Sequence, residues 1–158
     1  MNTQQHRQFQ RGVDAIRAAE HGPSCDELAV APILDCWRVM IAPHPYPIPV
    51  LWGEVSGHPK LGTDLITTSR LVALDRHAGR ARSVSRWYRL GRPFAEFEAA
   101  LTSRMGQNDA KPGSAEFHLP GFVTIDDPAA LEQILADYIA LMRKIDANYK
   151  TGGGETRT

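Results

Sequence analysis

The chain has little cysteine, no long apolar run and no net charge, and each shortage closes off a class of protein. Only Cys25 and Cys36 occur among 158 residues, too few for a disulfide framework and without the spacing of a zinc site. Two thiols fit a reducing compartment, where most cysteines are small buried residues. The longest nearly uninterrupted apolar run, Leu28 to Leu34, is far too short to span a bilayer. Met1 to Gly12 is polar and glutamine-rich, with no apolar stretch of the signal-peptide type. A cytoplasmic protein with no membrane partner is expected. The charged residues balance at 18 basic and 18 acidic, so no whole-protein field attracts nucleic acid or acidic membrane. The histidines, His6, His21, His44, His58, His77 and His118, form no paired metal spacing. A phosphate-binding glycine loop, a dinucleotide fingerprint and a nucleophile elbow are all missing. No cofactor, no metal and no catalytic residue is therefore expected.

What remains is the pattern of a single α+β domain. A helix is expected from Thr3 to His21, carrying Phe9, Val13 and Ile16 on one stripe. Ser24 and Glu27 have capping-box spacing and start a second, short helix. Trp37 to Ile41 suits a helix or a strand equally. From Pro43 to Pro49 every second residue is proline, which requires an extended connector. It reads as a stiff crossover between the helical front and the sheet, or as a docking peptide for a proline-recognition domain. Val50–His58, Leu65–Leu74 and Arg80–Leu90 then read as a three-stranded antiparallel meander. Pro93 opens a helix with Phe94, Phe97, Leu101 and Met105 on its buried face. Gln107 to Ala115 is a polar loop, and Glu116–Leu119 and Phe122–Ile125 are two short strand candidates. Asp127 and Pro128 begin a last helix, whose stripe runs from Leu131 through Leu135, Tyr138 and Met142 to Tyr149.

The expected layout is one domain over residues 1–150, with an antiparallel sheet of three to five strands packed against N- and C-terminal helices. Residues 1–46 form the helical front and proline-rich connector, 47–92 a basic β-meander, and 93–150 the helix, loop and C-terminal helix. Residues 151–158 form a flexible tail.

Charge is unevenly spread along this layout. From Pro47 to Arg92 there are eight basic residues and three acids, whereas from Pro93 onward six basic residues face ten acids. The stretch Arg76 to Arg92 holds six arginines and no acid. Arginine forks bind phosphate bidentately, and aromatic rings offer bases a stacking surface. On one strand Arg80, Arg82 and Arg86 would share a face at spacings of about 7 and 14 Å. With Arg89, and with Trp87 or Tyr88 as a stacking platform, they form the candidate site for nucleic acid or a protein partner. One difficulty is that Val84, Tyr88 and Leu90 share the parity of those three arginines, which a bulge near Ser85 to Trp87 would relieve. The alternative is an ion-paired surface, in which the arginines meet acids of the C-terminal helix and the loop before it. A serine-hydrolase arrangement of His58, Ser69 and Asp75 can also be drawn, but nothing in the sequence fixes its geometry.

Three runs carry a family likeness. Gly53-Glu54-Val55-Ser56-Gly57-His58-Pro59, Thr68-Ser69 with Leu71 and Ala73-Leu74-Asp75, and Ser85-Arg86-Trp87-Tyr88-Arg89-Leu90-Gly91 resemble an uncharacterised bacterial family of short proteins annotated only as a domain of unknown function. The resemblance covers roughly Ala31 to Pro93. Where that family often carries an aromatic residue this chain has Arg80, which makes it more cationic. The resemblance implies no activity, cofactor or catalytic residue; at most it implies an accessory protein of bacterial mobile DNA. The expected role is nucleic-acid binding through the arginine strand, or else a protein-interaction module that regulates a larger complex.

Overall fold

The computed structural model of the protein describes residues 1–42, 45–104 and 121–152. Helix α1, Thr3–His21, has the bounds its apolar stripe predicts. Asn2 caps it by accepting from the Gln5 amide, while the Gln5 side chain accepts from the Asn2 amide. Gly22 ends it at φ 81, a conformation that costs a residue without Cβ little. Helix α2, Cys25–Val30, starts with the reciprocal Ser24–Glu27 capping box.

The ambiguous segment is a strand, β1, Ile33–Ala42. It pairs antiparallel along its length with β2, Ile48–His58. The proline-rich segment therefore links two adjacent strands rather than crossing from helices to sheet; its residues 43 and 44 lie outside the described residues. Pro49 sits within β2 opposite Ile41. Leu51 directs both its N–H and its C=O to Thr68, away from β1. Pro49, two residues back, aims its nitrogen the same way, so its missing donor costs no bond to β1.

The expected second and third strands are each broken in two. Leu65–Leu74 divides into β3, Gly62–Thr67, and β4, Leu71–Asp75. Arg80–Leu90 divides into β5, Arg80–Ser83, and β6, Trp87–Leu90. A two-residue strand β7, Val123–Thr124, also pairs with β1. It falls within the expected Phe122–Ile125 strand, whereas Glu116–Leu119 and Gln107–Ala115 lie outside the described residues. Among the described residues seven strands thus replace the expected three to five, and the meander gives way to the order β3-β2-β1-β6-β5-β4. The sheet is mixed, because β6 runs parallel to β1 at Ile33 and Leu34.

That order places β3 and β4, neighbours in the chain, at opposite ends of the sheet. The four steps from Thr67 to Leu71 reach about 14 Å at most. Six flat strands would put their outer members about 24 Å apart. The sheet must therefore curl, and the seam is Thr68. Its amide donates to Leu51 O at 2.8 Å and its hydroxyl accepts from Leu51 N at 3.0 Å.

Inside the curl, Leu34, Val39, Leu51, Val55, Leu71, Ala81 and Tyr88 form the main core. Helix α4, Pro128–Gly152, covers it with Leu131 and Leu135. Asp127 caps α4 by accepting from the Ala129 amide. The same helix packs Met142 and Tyr138 against Val13 and Ile16 of α1 and Val72 of β4. Outside the curl, Met40, Val50 and Trp52 meet Phe94 of helix α3, Phe94–Arg104. Of the expected α3 stripe, Phe97 is half-buried and Leu101 exposed, and Met105 lies outside the described residues. At the end of the α4 stripe Tyr149 is partly exposed, yet its ring lies 5.7 Å from that of Phe9 on α1. That helix takes in Thr151 and Gly152 of the expected tail, and residues 153–158 lie outside the described residues.

Candidate functional site

The arginine stretch folds as a hairpin rather than as one strand. Ser83 turns it: its hydroxyl accepts from the amides of Ser85 and Arg86, and its own amide donates to Arg86 O. Reversal of the chain resolves the clash of charge and apolar parity in Val84 to Leu90, where a bulge was expected. The ribbon of Arg80, Arg82 and Arg86 along one strand is accordingly not formed. Arg80 stands directly opposite Arg89, Ala81 opposite Tyr88, and Arg82 opposite Trp87. Ala81 and Ser83 turn inward and are buried, leaving Arg80 and Arg82 on the outer face of β5. Arg86 lies in the turn.

Each arginine has a distinct setting. The Arg82 guanidinium lies 5.8 Å from the centroid of Trp87, and its Nε is buried without a hydrogen-bond partner. Burial pulls its pKa down, opposed by the charge of Glu27 on α2. Arg89 Nε donates to Ala31 O at 3.0 Å, which ties β6 to the end of α2. Among the described residues, Arg80, Arg82, Arg86 and Arg89 form no ion pair; the sixth arginine of the stretch, Arg92, pairs with Asp35 at 3.2 Å. The expected aromatic platform is corrected: Trp87 and Tyr88 are only 7% and 3% exposed, because β6 is covered on both faces. Neither ring offers a face for a base.

The hydrolase arrangement is not assembled. Ser69 Oγ bonds the hydroxyls of Ser83 and Ser85. His58 Nδ1 accepts from the amides of Lys60 and Leu61, and Asp75 accepts from Ala78 N. No hydrogen bond joins any two of the three. Both cysteines are free thiols; Cys25 is exposed rather than buried, and Cys36 is half-buried.

The sequence model of a family of unknown function, DUF6634, matches residues 2–156. The chain belongs to this family. The match extends well beyond the central runs that carry the likeness. No curated protein and no solved structure gives a significant match.

In this DUF6634 chain β1 carries a bulge that no local sequence pattern announces. One extra residue lies between Asp35 and Arg38 relative to β2, and Cys36 adopts φ 50, rare for a residue with a side chain. The bulge flips the side-chain alternation, so that Leu34 and Trp37 both face the core. Asp35 accepts from the Arg92 amide at 2.8 Å and the Arg92 guanidinium at 3.2 Å. Burial works against that carboxylate, but the bonds to Arg92 outweigh it and hold the Asp35 pKa below its ordinary value. Gly53 and Gly91 make room: a Cβ would lie 2.8 Å from Asp35 O at the first and 2.7 Å from the Asp35 carboxylate at the second. Only the glycines were visible signals of such close approach.

Trp37, aimed by the bulge, donates its ring N–H to Gly91 O at 3.0 Å. Its ring lies beneath the Arg76 guanidinium, at 5.4 Å, on the wall of a cleft of about 260 Å³. Among the described residues no helix is long and apolar enough to cross a membrane. No three His, Cys, Asp or Glu side chains among them are grouped to hold a metal.

Proposed function

We propose that this DUF6634 protein binds the phosphate backbone of nucleic acid through Arg80, Arg82, Arg86 and Arg89. The observation that carries the reading is the cross-strand pair Arg80 and Arg89. Like charges placed directly opposite on a sheet destabilise it. These two have no carboxylate within ion-pair distance among the described residues, and neither do Arg82 and Arg86. Asp75 stands opposite Arg80 on β4 and the charge of Glu27 reaches Arg82, but four guanidiniums against two carboxylates leave the hairpin net positive and complementary to a polyanion. With Trp87 and Tyr88 buried, stacking has no part in the reading. The contact is to phosphate, and the expected binding is insensitive to base sequence.

Fluorescence anisotropy of labelled duplex and single-stranded DNA and RNA, titrated at several salt concentrations, tests it. Four phosphate contacts give a log–log salt slope of about −3.6 on duplex DNA and a shallower one on single strands. The Arg82→Glu, Arg86→Glu variant loses binding. Absence of binding at low salt, or a slope unchanged in that variant, rejects the reading.

A second reading, a protein-interaction module, is favoured by the edge strand β3. Among the described residues it pairs only with β2, and Leu65, together with Leu61 beside it, is about half exposed. Such an edge can accept a strand from a partner. A protein that co-purifies from nuclease-treated lysate, and is lost on Leu65→Lys substitution, would select this reading over the first.

A further inference from the structure

Helix α2 lies on the face of the hairpin that carries the arginines. Arg82 and Trp87 are cross-strand partners, as are Arg80 and Arg89, and such partners project to the same side of a sheet. The opposite side is the core, where Ala81 and Tyr88 pack. Helix α2 packs against β6, and two contacts put it on the arginine side. Arg89 Nε donates at 3.0 Å to Ala31 O, at the C-terminal end of α2. In the first turn of α2, the charges of Glu27 and Arg82 act on each other. One backbone oxygen and one carboxylate of the same short segment thus engage two of the four guanidiniums offered to phosphate.

This helix is weakly held. No residue from Cys25 to Val30 is buried; Leu28 is half-buried and Val30 is 79% exposed. Six residues fall well short of the length at which a helix is stable by itself. Its start rests on the Ser24–Glu27 box rather than on packing. Gly22, at φ 81, and Pro23 precede it, and the buried Ala31 follows it. The segment between these anchors can leave the hairpin without taking any core residue with it. Elements with few buried apolar contacts open at the lowest free energy.

We propose that α2 is an autoinhibitory strap, which engages Arg82 and Arg89 in the free protein and is displaced when phosphates of a nucleic acid take those guanidiniums. The inference rests on the phosphate-binding reading of the hairpin. A charged phosphate oxygen is a stronger acceptor for a guanidinium than the neutral carbonyl of Ala31, so the exchange at Arg89 favours the ligand. At Arg82 the arriving phosphate and Glu27 carry the same sign, and their repulsion drives the strap away.

The full-length protein is compared with three variants by anisotropy on labelled duplex DNA at low salt. Glu27→Gln removes the charge but keeps the cap, because glutamine serves at the same capping-box position. Ala29→Gly weakens the helix without altering charge. Glu96→Gln, on the exposed side of α3, is the charge-matched control. Glu27→Gln and Ala29→Gly are each expected to bind about threefold more tightly than wild type, and Glu96→Gln to bind as wild type does. Hydrogen exchange read by mass spectrometry is expected to show residues 25–30 losing protection at saturating DNA. If Glu27→Gln and Ala29→Gly bind no more tightly than Glu96→Gln, or if that protection is unchanged by DNA, the strap is rejected, while salt-dependent binding by wild type leaves the phosphate reading standing. If neither wild type nor any variant binds, the phosphate reading fails and the strap fails with it.

Discussion

Replacing Thr68 with valine probes the seam that closes the curled sheet. Thr68 is 6% exposed, and its hydroxyl accepts from Leu51 N at 3.0 Å and donates to Ser69 O at 2.8 Å. Valine nearly preserves the shape of the side chain but cannot accept from Leu51 N, and that amide belongs to a residue with no exposed surface. An orphaned buried donor costs about 1–3 kcal/mol. The Ser69 carbonyl stands at a more exposed residue, where water replaces the lost donor at little cost. The backbone bond from Thr68 N to Leu51 O survives the change, so the penalty stays near the middle of that range, about 2 kcal/mol. In a chain of this size such a loss lowers Tm by about 4–8 °C. The control is Thr67→Val on exposed β3, where the effect stays within about 0.5 kcal/mol. Urea denaturation gives the difference, and hydrogen exchange at the Leu51 amide locates it. If Thr68→Val matches Thr67→Val in stability and the Leu51 amide keeps its protection, the closure inferred from strand order is wrong.

Further expectations rest on single contacts. Gly53→Ala drives a Cβ to 2.8 Å from the Asp35 backbone oxygen and destabilises by about 1–3 kcal/mol. Gly12→Ala meets the Met142 methyl tip and the Tyr138 hydroxyl at 2.7 and 2.8 Å, which swing aside more easily, so its melt shifts less. The Asp35 carboxylate, with its pKa below the ordinary 3.8, contributes stability that is present above pH 3.8 and lost as pH falls through the lower folded value. Asp35→Asn is therefore less stable than wild type at pH 7, by under about 1 kcal/mol given its partial exposure, and the gap closes in acid. Urea midpoints from pH 7 to 2 report that convergence, and a constant gap refutes the account.

Local chemistry was legible and long-range geometry was not. The bounds of α1, the Ser24–Glu27 box and the start of α4 at Asp127–Pro128 depend on residues within one turn of each other, and the sequence displays them. The corner at Thr68 to Arg70 contains neither glycine nor proline. It breaks because Thr68 bonds a strand 17 residues away in sequence, and no local pattern announces that. The reversal after Ser83 has the same origin, since a serine hydroxyl supplies the turn that glycine usually makes. In the arginine stretch, identity and charge were readable, but the facing of Arg80 and Arg89 depends on that hidden turn. The burial of Trp87 and Tyr88 depends on β1 lying next to β6. The cleft joins Trp37 and Arg76 from two distant segments and depends on a bulge at Cys36, a residue with no local signature for φ 50.

The central claim, that Arg80 and Arg89 are held opposite each other for a polyanion, is tested most directly by measuring affinity and stability on one variant. Arg80→Gln removes one phosphate contact and the cross-strand repulsion, and leaves the Arg89 bond to Ala31 O in place. Anisotropy on labelled duplex DNA should show weaker binding and a salt slope shallower by about 0.9. The thermal melt of the free protein should stay level or rise, by the equivalent of about 0.2–1 kcal/mol. Unchanged affinity, or a fall in stability that accompanies the loss of binding, would contradict the claim and leave these arginines as structural members of the hairpin.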